Sequence, residues 1–335
     1  MNILITGAGG FVGGFIVEEA LKRGYRTWAG VRATTNREYL SDPAIEFIDL
    51  NFSNPEMLKK QLKEAKEAFG GWDYIVHNLG LTKENRKGDF DRVNYRFVKN
   101  FVEALESMDM VPRQFIYISS LAAYGLGDET GRNPLRLTDT PNPTTEYGKS
   151  KLKGEAFIQS RPDFPFTILR PTGVYGPREK DYFMMIKSIA MGFDFAVGFT
   201  PQQLTFIYVK DLVDVIFSAI DHQAIGKHYF VADGDVYSGA DFRRIVMKKL
   251  GKRFVIPFKL PLVIIKIVSL CAEQIGRWQG VASTLNSDKY QIMKQRNWTC
   301  DIEPLKRDLG FKPNYPLEKG VDQAIEWYRK AGWLK

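Results

Sequence analysis

The stretch ILITGAGGFVGGFIVEEALKRG constrains this chain more than any other, because it sets a glycine-rich turn between an apolar strand and an amphipathic helix. Gly7, Gly10 and Gly13 stand there in a G-x-x-G-x-x-G spacing. Such a turn bends sharply, leaves backbone bare enough to approach a pyrophosphate, and opens a helix whose first N–H groups favour anions. An ordinary loop needs no such combination, so the pattern predicts nucleotide binding around residues 7–13.

Downstream of this turn the chain repeats the same unit. ILIT (3–6), RTWAGV (26–31), IEFI (45–48), DYIVH (73–77), QFIYIS (114–119) and FTILR (166–170) read as strands. Between them, FIVEEALKRG, PEMLKKQLKEAKEAFG and FDRVNYRFVKNFVEALES carry apolar residues at helical spacing. Strand, helix, strand in this order implies parallel strands with right-handed crossovers, a doubly wound α/β sheet. LTFIYV followed by DLVDVIFSAI resembles the earlier units and is expected to rejoin the sheet. After Arg170 the pattern loosens into a smaller C-terminal α/β lid for substrate. The expected division is 1–171 with about 204–232 as the cofactor-binding body, and 172–203 with 233–335 as the lid. A chain of 335 residues has room for both, and 44% apolar with 26% charged residues excludes a disordered or fibrous polymer.

Charge and cysteine usage narrow the function classes. Lys and Arg outnumber Asp and Glu by 47 to 39, giving +8. There is no basic block or zinc-finger spacing, so no nucleic-acid partner is expected. Cys271 and Cys300 are too isolated for a disulfide framework, and His77, His222 and His228 are scattered, so no metal site is expected and a cytoplasmic setting fits. No secretory signal is visible. The longest apolar stretch, residues 254–272, is broken by Pro257, Lys259, Pro261 and Lys266 and falls short of a spanning helix.

Ligands of doubly wound sheets bind beyond the carboxyl ends of the strands. Leu79, Ser119 and Pro171, at the ends of the fourth, fifth and sixth strands, are therefore expected at the cofactor. In GVRATTNR, Val31 stands where an acidic residue would hold the ribose hydroxyls, and Arg32 follows. A guanidinium suits a 2′-phosphate, so NADP(H) is preferred over NAD(H). Asp49 and Leu50 are placed to meet the adenine edge and face. Tyr147 and Lys151, in TTEYGKSK, share one helix face at i and i+4. An adjacent ammonium and an oxidised nicotinamide both favour the phenolate, fitting Tyr147 for proton exchange. Ser120 is expected to bind the same substrate oxygen, and Asn94 to support the site through water.

In order and spacing these segments resemble the extended short-chain dehydrogenase/reductase family, also called the NAD(P)-dependent epimerase/dehydratase family. The resemblance runs through TGAGGFVG, SSLAAYG, YGKSK, LRPTGVYGPRE, FIYVKDLVD and LGFKPNYPLEKGVDQAIEWYRKAGWL. It implies a Rossmann-type sheet, catalytic roles for Ser120, Tyr147 and Lys151, and cofactor contacts from Gly7, Gly10, Phe11, Val12, Asp49 and Leu50. It also implies a homodimer.

Departures from the pattern define the expected substrate. Dehydratases of the family place an Asp-Glu pair after the catalytic Ser or Thr; here Leu121 and Ala122 follow Ser120, and neither moves a proton. Sugar-nucleotide epimerases usually carry Asn in R-x-x-N-V-Y-G-P and Arg-Asp in R-D-F-I-x-V-x-D. This chain has Gly173 in the first and Leu204 and Thr205 in the second. With the apolar segment 254–280, expected to be a helix from near Pro261, these losses point to an apolar substrate. They resemble the branch of 3β-hydroxysteroid dehydrogenases, dihydroflavonol reductases and bacterial 3-ketosphinganine reductases. The expected activity interconverts a ketone and a secondary alcohol, with peripheral contact to the inner membrane face through 254–280. A sugar-nucleotide 4-epimerase or ketoreductase with bound NAD, and a non-catalytic NADP(H) sensor, are the alternatives.

Overall fold

The computed structural model describes residues 1–334 apart from 85, 126 and 280–285. The chain folds as two compact units. The first comprises Met1–Ala123, Tyr147–Arg170 and Val213–Tyr229; the second comprises Tyr124–Glu146, Pro171–Leu212 and Phe230–Lys335.

Six strands of the main sheet are β1 (Asn2–Thr6), β2 (Arg26–Gly30), β3 (Ile45–Ile48), β4 (Tyr74–His77), β5 (Gln114–Ile118) and β6 (Phe166–Pro171). With the strand Lys227–Val231 they form one sheet whose order is Lys227–Val231, β6, β5, β4, β1, β2, β3. Ile3 pairs in parallel with Thr27 on one side and Tyr74 on the other. Strand order thus reverses between β1 and β4, and a doubly wound sheet binds its ligand at such a reversal. Ile3, Leu4 and Ile5 are all fully buried, as a parallel strand covered on both faces requires.

The crossovers have local causes. Helix α1 (Phe11–Lys22) starts at the glycine turn, and α2 (Pro55–Phe69) starts where the Asn54 side chain accepts from the Met57 N–H at 3.1 Å. Pro55 suits the first position of α2, whose N–H needs no partner. Left-handed Gly70, φ 83°, ends it. Leu58 and Leu62 of α2 pack with Trp28, Phe101 and Phe115 in the core. The expected long helix over FDRVNYRFVKNFVEALES is interrupted: a π turn spans Arg92–Arg96 and regular α-helix resumes at Phe97. Such turns are frequent at functional sites, and this one carries Asn94.

In the second unit three short parallel pairs form: Gly173–Tyr175 with Phe206–Tyr208, Phe193–Val197 with Ile256–Leu260, and Gln203–Leu204 with Asn297–Trp298. Its core gathers Tyr175, Phe206, Phe242 and Tyr328. The strand within LTFIYV does not rejoin the main sheet as expected, because its pairing is taken by Gly173–Tyr175; the strand after the next helix, Lys227–Val231, joins instead. Two further stretches fall outside the expected body. Residues 204–212 are held in the second unit by that pairing and by Asp211, which accepts from the Asn314 and Tyr315 N–H groups at 3.0 and 2.9 Å. Residues 124–146 are stitched to 295–301, where Gln295 Nε2 donates to the Gly125 carbonyl at 3.1 Å and Asn297 Nδ2 to those of Asp128 and Asn133.

Candidate active site

The glycine turn is bare by necessity. Gly7 is left-handed, φ 68°, and a Cβ on it would lie 2.9 Å from the Leu79 backbone; one on Gly13 would lie 2.2 Å from the Gly7 carbonyl oxygen. Leu79 is drawn to this turn by its N–H, which donates to Thr6 Oγ1 at 3.2 Å. Helix α1 begins after Gly10 with no side-chain cap and no acidic residue in its first turn, so the N–H groups around Phe11 and Val12 remain suited to an anion. This cradle fits the pyrophosphate of a dinucleotide.

At the end of β2 the Arg32 side chain is exposed and makes no ion pair with a described residue, while its N–H donates to Thr35 Oγ1 at 3.1 Å. Asp49 accepts from the Ala33 N–H at 3.2 Å and so holds the same loop. Leu50 packs its side chain into the core, which leaves backbone rather than an open apolar face for a base.

Ser120, Tyr147 and Lys151 come together at the carboxyl ends of β5 and the head of the helix Glu146–Gln159. Tyr147 is hydrogen-bonded to Ser120 and packs its ring against Phe90, centroids 5.8 Å apart. One helical turn on, Lys151 Nζ donates to the Ile118 carbonyl at 2.9 Å and lies 5.0 Å above the Tyr117 ring. Gly80 makes room for it, since a Cβ there would stand 2.9 Å from Nζ. Asn94 Oδ1 accepts from the Leu81 N–H at 2.8 Å, and its Nδ2 donates to the Leu81 carbonyl and Ser150 Oγ, both at 3.0 Å. Asn94 therefore ties the loop after β4 to the helix Glu146–Gln159 by direct bonds.

Burial governs the protonation states. It raises the Tyr147 phenol above its ordinary value, opposed by the Ser120 hydrogen bond, and it pushes the Lys151 ammonium down to about 8 against the pull of Glu155. The expected phenolate is thus not favoured by the protein alone, and the phenol keeps its proton. His77, fully buried beside Lys151, is held neutral by the same desolvation.

The Ser119 side chain, expected at the cofactor, is turned inward. Its hydroxyl donates to the Glu155 carboxylate, which is 0% exposed and takes Arg170 in a fork, with Nε at 3.0 Å from both oxygens and Nη2 at 2.7 Å from Oε2. A buried pair must satisfy its charges internally, and this one recruits the serine. Pro171 closes β6 and is buried. Among the described residues no group of His, Cys, Asp and Glu could hold a metal ion.

Residues 3–232 match the NAD dependent epimerase/dehydratase family. The chain belongs to that family. It is 28% identical to the UDP-glucose 4-epimerase of Vibrio cholerae, over 98% of this chain and 96% of that protein. It is 24% identical to the ceramide reductase of Caulobacter vibrioides (strain NA1000 / CB15N), over 99% of this chain and 96% of that protein. A solved dTDP-glucose 4,6-dehydratase from Bacillus anthracis, in complex with NAD, shares its fold with TM-score 0.77 at 17% identity, covering 100% of this chain and 98% of that one. This member of the epimerase/dehydratase family is thus an enzyme of NAD-dependent oxidoreductase type on a Rossmann-type sheet.

Three contributors to the family site are not evident from the sequence alone. Gly80 is signalled only by its place after a strand. Glu155 lies four residues beyond Lys151 on the same helix, and Arg170 ends a buried strand; two charges at such positions must find each other.

Proposed function

We propose that the chain is an NADP(H)-dependent reductase that interconverts a ketone and a secondary alcohol on an apolar molecule, a long-chain lipid ketone above all. One observation carries the choice of substrate. Where sugar-nucleotide relatives present Asn, a side chain on Gly173 would meet the Tyr182 hydroxyl at 2.1 Å, so the Tyr182 side chain takes the place of that Asn and leaves an amide no room. The neighbouring substitution agrees: Thr205 is buried, with its hydroxyl donating to the Trp298 carbonyl at 2.7 Å, and so offers a diphosphate nothing. Similarity to a ceramide reductase supports the same class.

Bound nicotinamide supplies or accepts the hydride. Tyr147 would deliver the proton to the carbonyl oxygen, Ser120 would fix that oxygen by hydrogen bonding, and Lys151 would hold the nicotinamide ribose while keeping positive charge beside the phenol. The reductive kcat/KM should be flat near neutrality and fall as pH rises through about 8, because Lys151 then loses its proton. A pH profile that keeps rising beyond that point would remove Lys151 from this role.

The deciding experiment titrates the protein with NADPH and NADH and then follows absorbance against 3-keto lipids, steroid ketones and keto sugar nucleotides. Consumption with an apolar ketone is expected. Nucleotide sugars shifting a tightly held NAD, without net turnover, would favour the epimerase reading that 28% identity to a UDP-glucose 4-epimerase also supports. Tight NADPH binding with no turnover on any ketone would leave a sensor. In the same titration Arg32→Asp should weaken NADPH by about tenfold or more and spare NADH, as loss of a charge-assisted bond to the 2′-phosphate requires. Equal NADPH affinity would refute Arg32 as the selector.

A further inference from the structure

The helix Leu262–Gln279 is inside out for a surface helix. Among its described side chains only Ile265, Ser269 and Gly276 are buried, a narrow strip flanked by half-buried Leu262, Ala272 and Glu273. On the opposite side Val263, Ile267 and Trp278 are 68%, 56% and 88% exposed, with Ile264 and Leu270 beside them. Helices of soluble domains turn polar residues outward, and contiguous apolar patches on a monomer mark something that covers them. No helix among the described residues is long and apolar enough to cross a membrane.

The strand leading into this helix continues the face. Ile256–Leu260 pairs with Phe193–Val197 in a ribbon whose outer aromatics, Phe195 and Phe258, are both exposed and stack with centroids 5.5 Å apart. Phe254, just before the ribbon, is exposed too.

Charge identifies the occupant. Between Asp241 and Glu273 the chain has eight Lys and Arg residues and no Asp or Glu. Arg243, Arg244, Lys248 and Lys249 are each ion-paired, to Asp194, Asp241, Glu318 and Asp322. The other four, Lys252, Arg253, Lys259 and Lys266, are exposed, make no ion pair with a described residue, and lie among the exposed apolar side chains. A second copy docked across a two-fold axis would bring these cations against their own counterparts. An anionic lipid surface meets both demands, with acyl chains for Val263, Ile267 and Trp278 and headgroups for the cations.

We propose that the face formed by Ile256–Leu260 and Leu262–Gln279 docks on anionic lipid bilayers, lying in the interface rather than spanning it. The proposal is independent of the substrate reading, because binding is measured with neither ketone nor nucleotide present. The full-length protein is sedimented with vesicles of equal parts phosphatidylglycerol and phosphatidylcholine, and with phosphatidylcholine alone, while Trp278 emission is followed against a Trp278→Phe control.

Binding to the anionic vesicles with a blue shift lost in Trp278→Phe is expected. Joint replacement of Lys252, Arg253, Lys259 and Lys266 by Gln should weaken it by about six-hundredfold, at about fivefold per cation. Val263→Glu with Ile267→Glu should abolish it while circular dichroism and the denaturant unfolding midpoint stay at their wild-type values; both positions are exposed, so the fold has no reason to fail. Absence of vesicle binding overturns the proposal. So does equal binding to both vesicle types. A dimer in solution that the two Glu substitutions split, without vesicle binding, would assign the face to a second copy and overturn it as well.

Discussion

Tyr147→Phe should lower ketone turnover by about three orders of magnitude and leave NADPH affinity unchanged. The substitution removes one oxygen. The ring keeps its packing against Phe90, and the nucleotide cradle at Gly7, Gly10 and Gly13 belongs to other elements. What is lost is the proton that burial keeps on the phenol and that the Ser120 hydrogen bond aims. Ser120 alone is a poor substitute, since a hydroxyl at ordinary pKa gives up its proton far less readily than a phenol. The measurement is single-turnover reduction beside cofactor binding by fluorescence. Turnover within tenfold of wild type would mean that another group supplies the proton, and the reading of this site would fail. Loss of cofactor binding in parallel would mean that Tyr147 holds the nucleotide rather than serving the chemistry.

The parts of this site legible in the sequence were those whose chemistry demands a spacing. A strand that turns into a helix over a pyrophosphate requires glycines at Gly7, Gly10 and Gly13, and a helix places residues four apart on one face, so Tyr147 and Lys151 could be read directly. Strand positions were equally readable, their limits less so: IEFI is the strand Ile45–Ile48 as expected, while the other five expected strands each differ by one residue at one end. What stayed hidden depends on tertiary contact. Nothing in FDRVNYRFVKNF announces a π turn, yet Arg92–Arg96 adopts one, placing Asn94 to bind both the N–H and the carbonyl of Leu81. Ser119 and Ser120 are adjacent and identical in type, and just beyond β5 their side chains find different partners. One meets Tyr147 and the other Glu155, which position along the chain alone did not decide. The rejoining strand was misplaced for a similar reason: Phe206–Tyr208 and Lys227–Val231 are both short apolar runs, and only the partner of each distinguishes them.

Glu155→Ala should cost about 3–5 kcal/mol of folding stability, the largest loss expected from any single site here, because it leaves the buried Arg170 guanidinium without its carboxylate. The pair is almost wholly withdrawn from water, at 0% and 3% side-chain exposure, so screening offers no relief. Arg170 cannot shed its proton as a lysine could, and Ser119 loses its acceptor in the same stroke. Denaturant unfolding measures the cost. A loss below about 1 kcal/mol would mean that water enters and solvates the guanidinium. Removing both charges, with Glu155→Leu and Arg170→Met together, should restore most of the stability, since the penalty belongs to the stranded partner rather than to the lost attraction. The milder Glu155→Gln separates structure from chemistry. It keeps the shape and part of the hydrogen bonding but withdraws the negative charge that holds up the Lys151 pKa. With that support gone burial acts unopposed, Lys151 deprotonates at lower pH, and the alkaline limb of the reductive pH profile should move down. A variant that unfolds more easily yet keeps the wild-type limb would show that Glu155 serves the fold alone. A limb displaced toward acid in a protein still folded under assay would make it a positioning residue for the ammonium beside Tyr147.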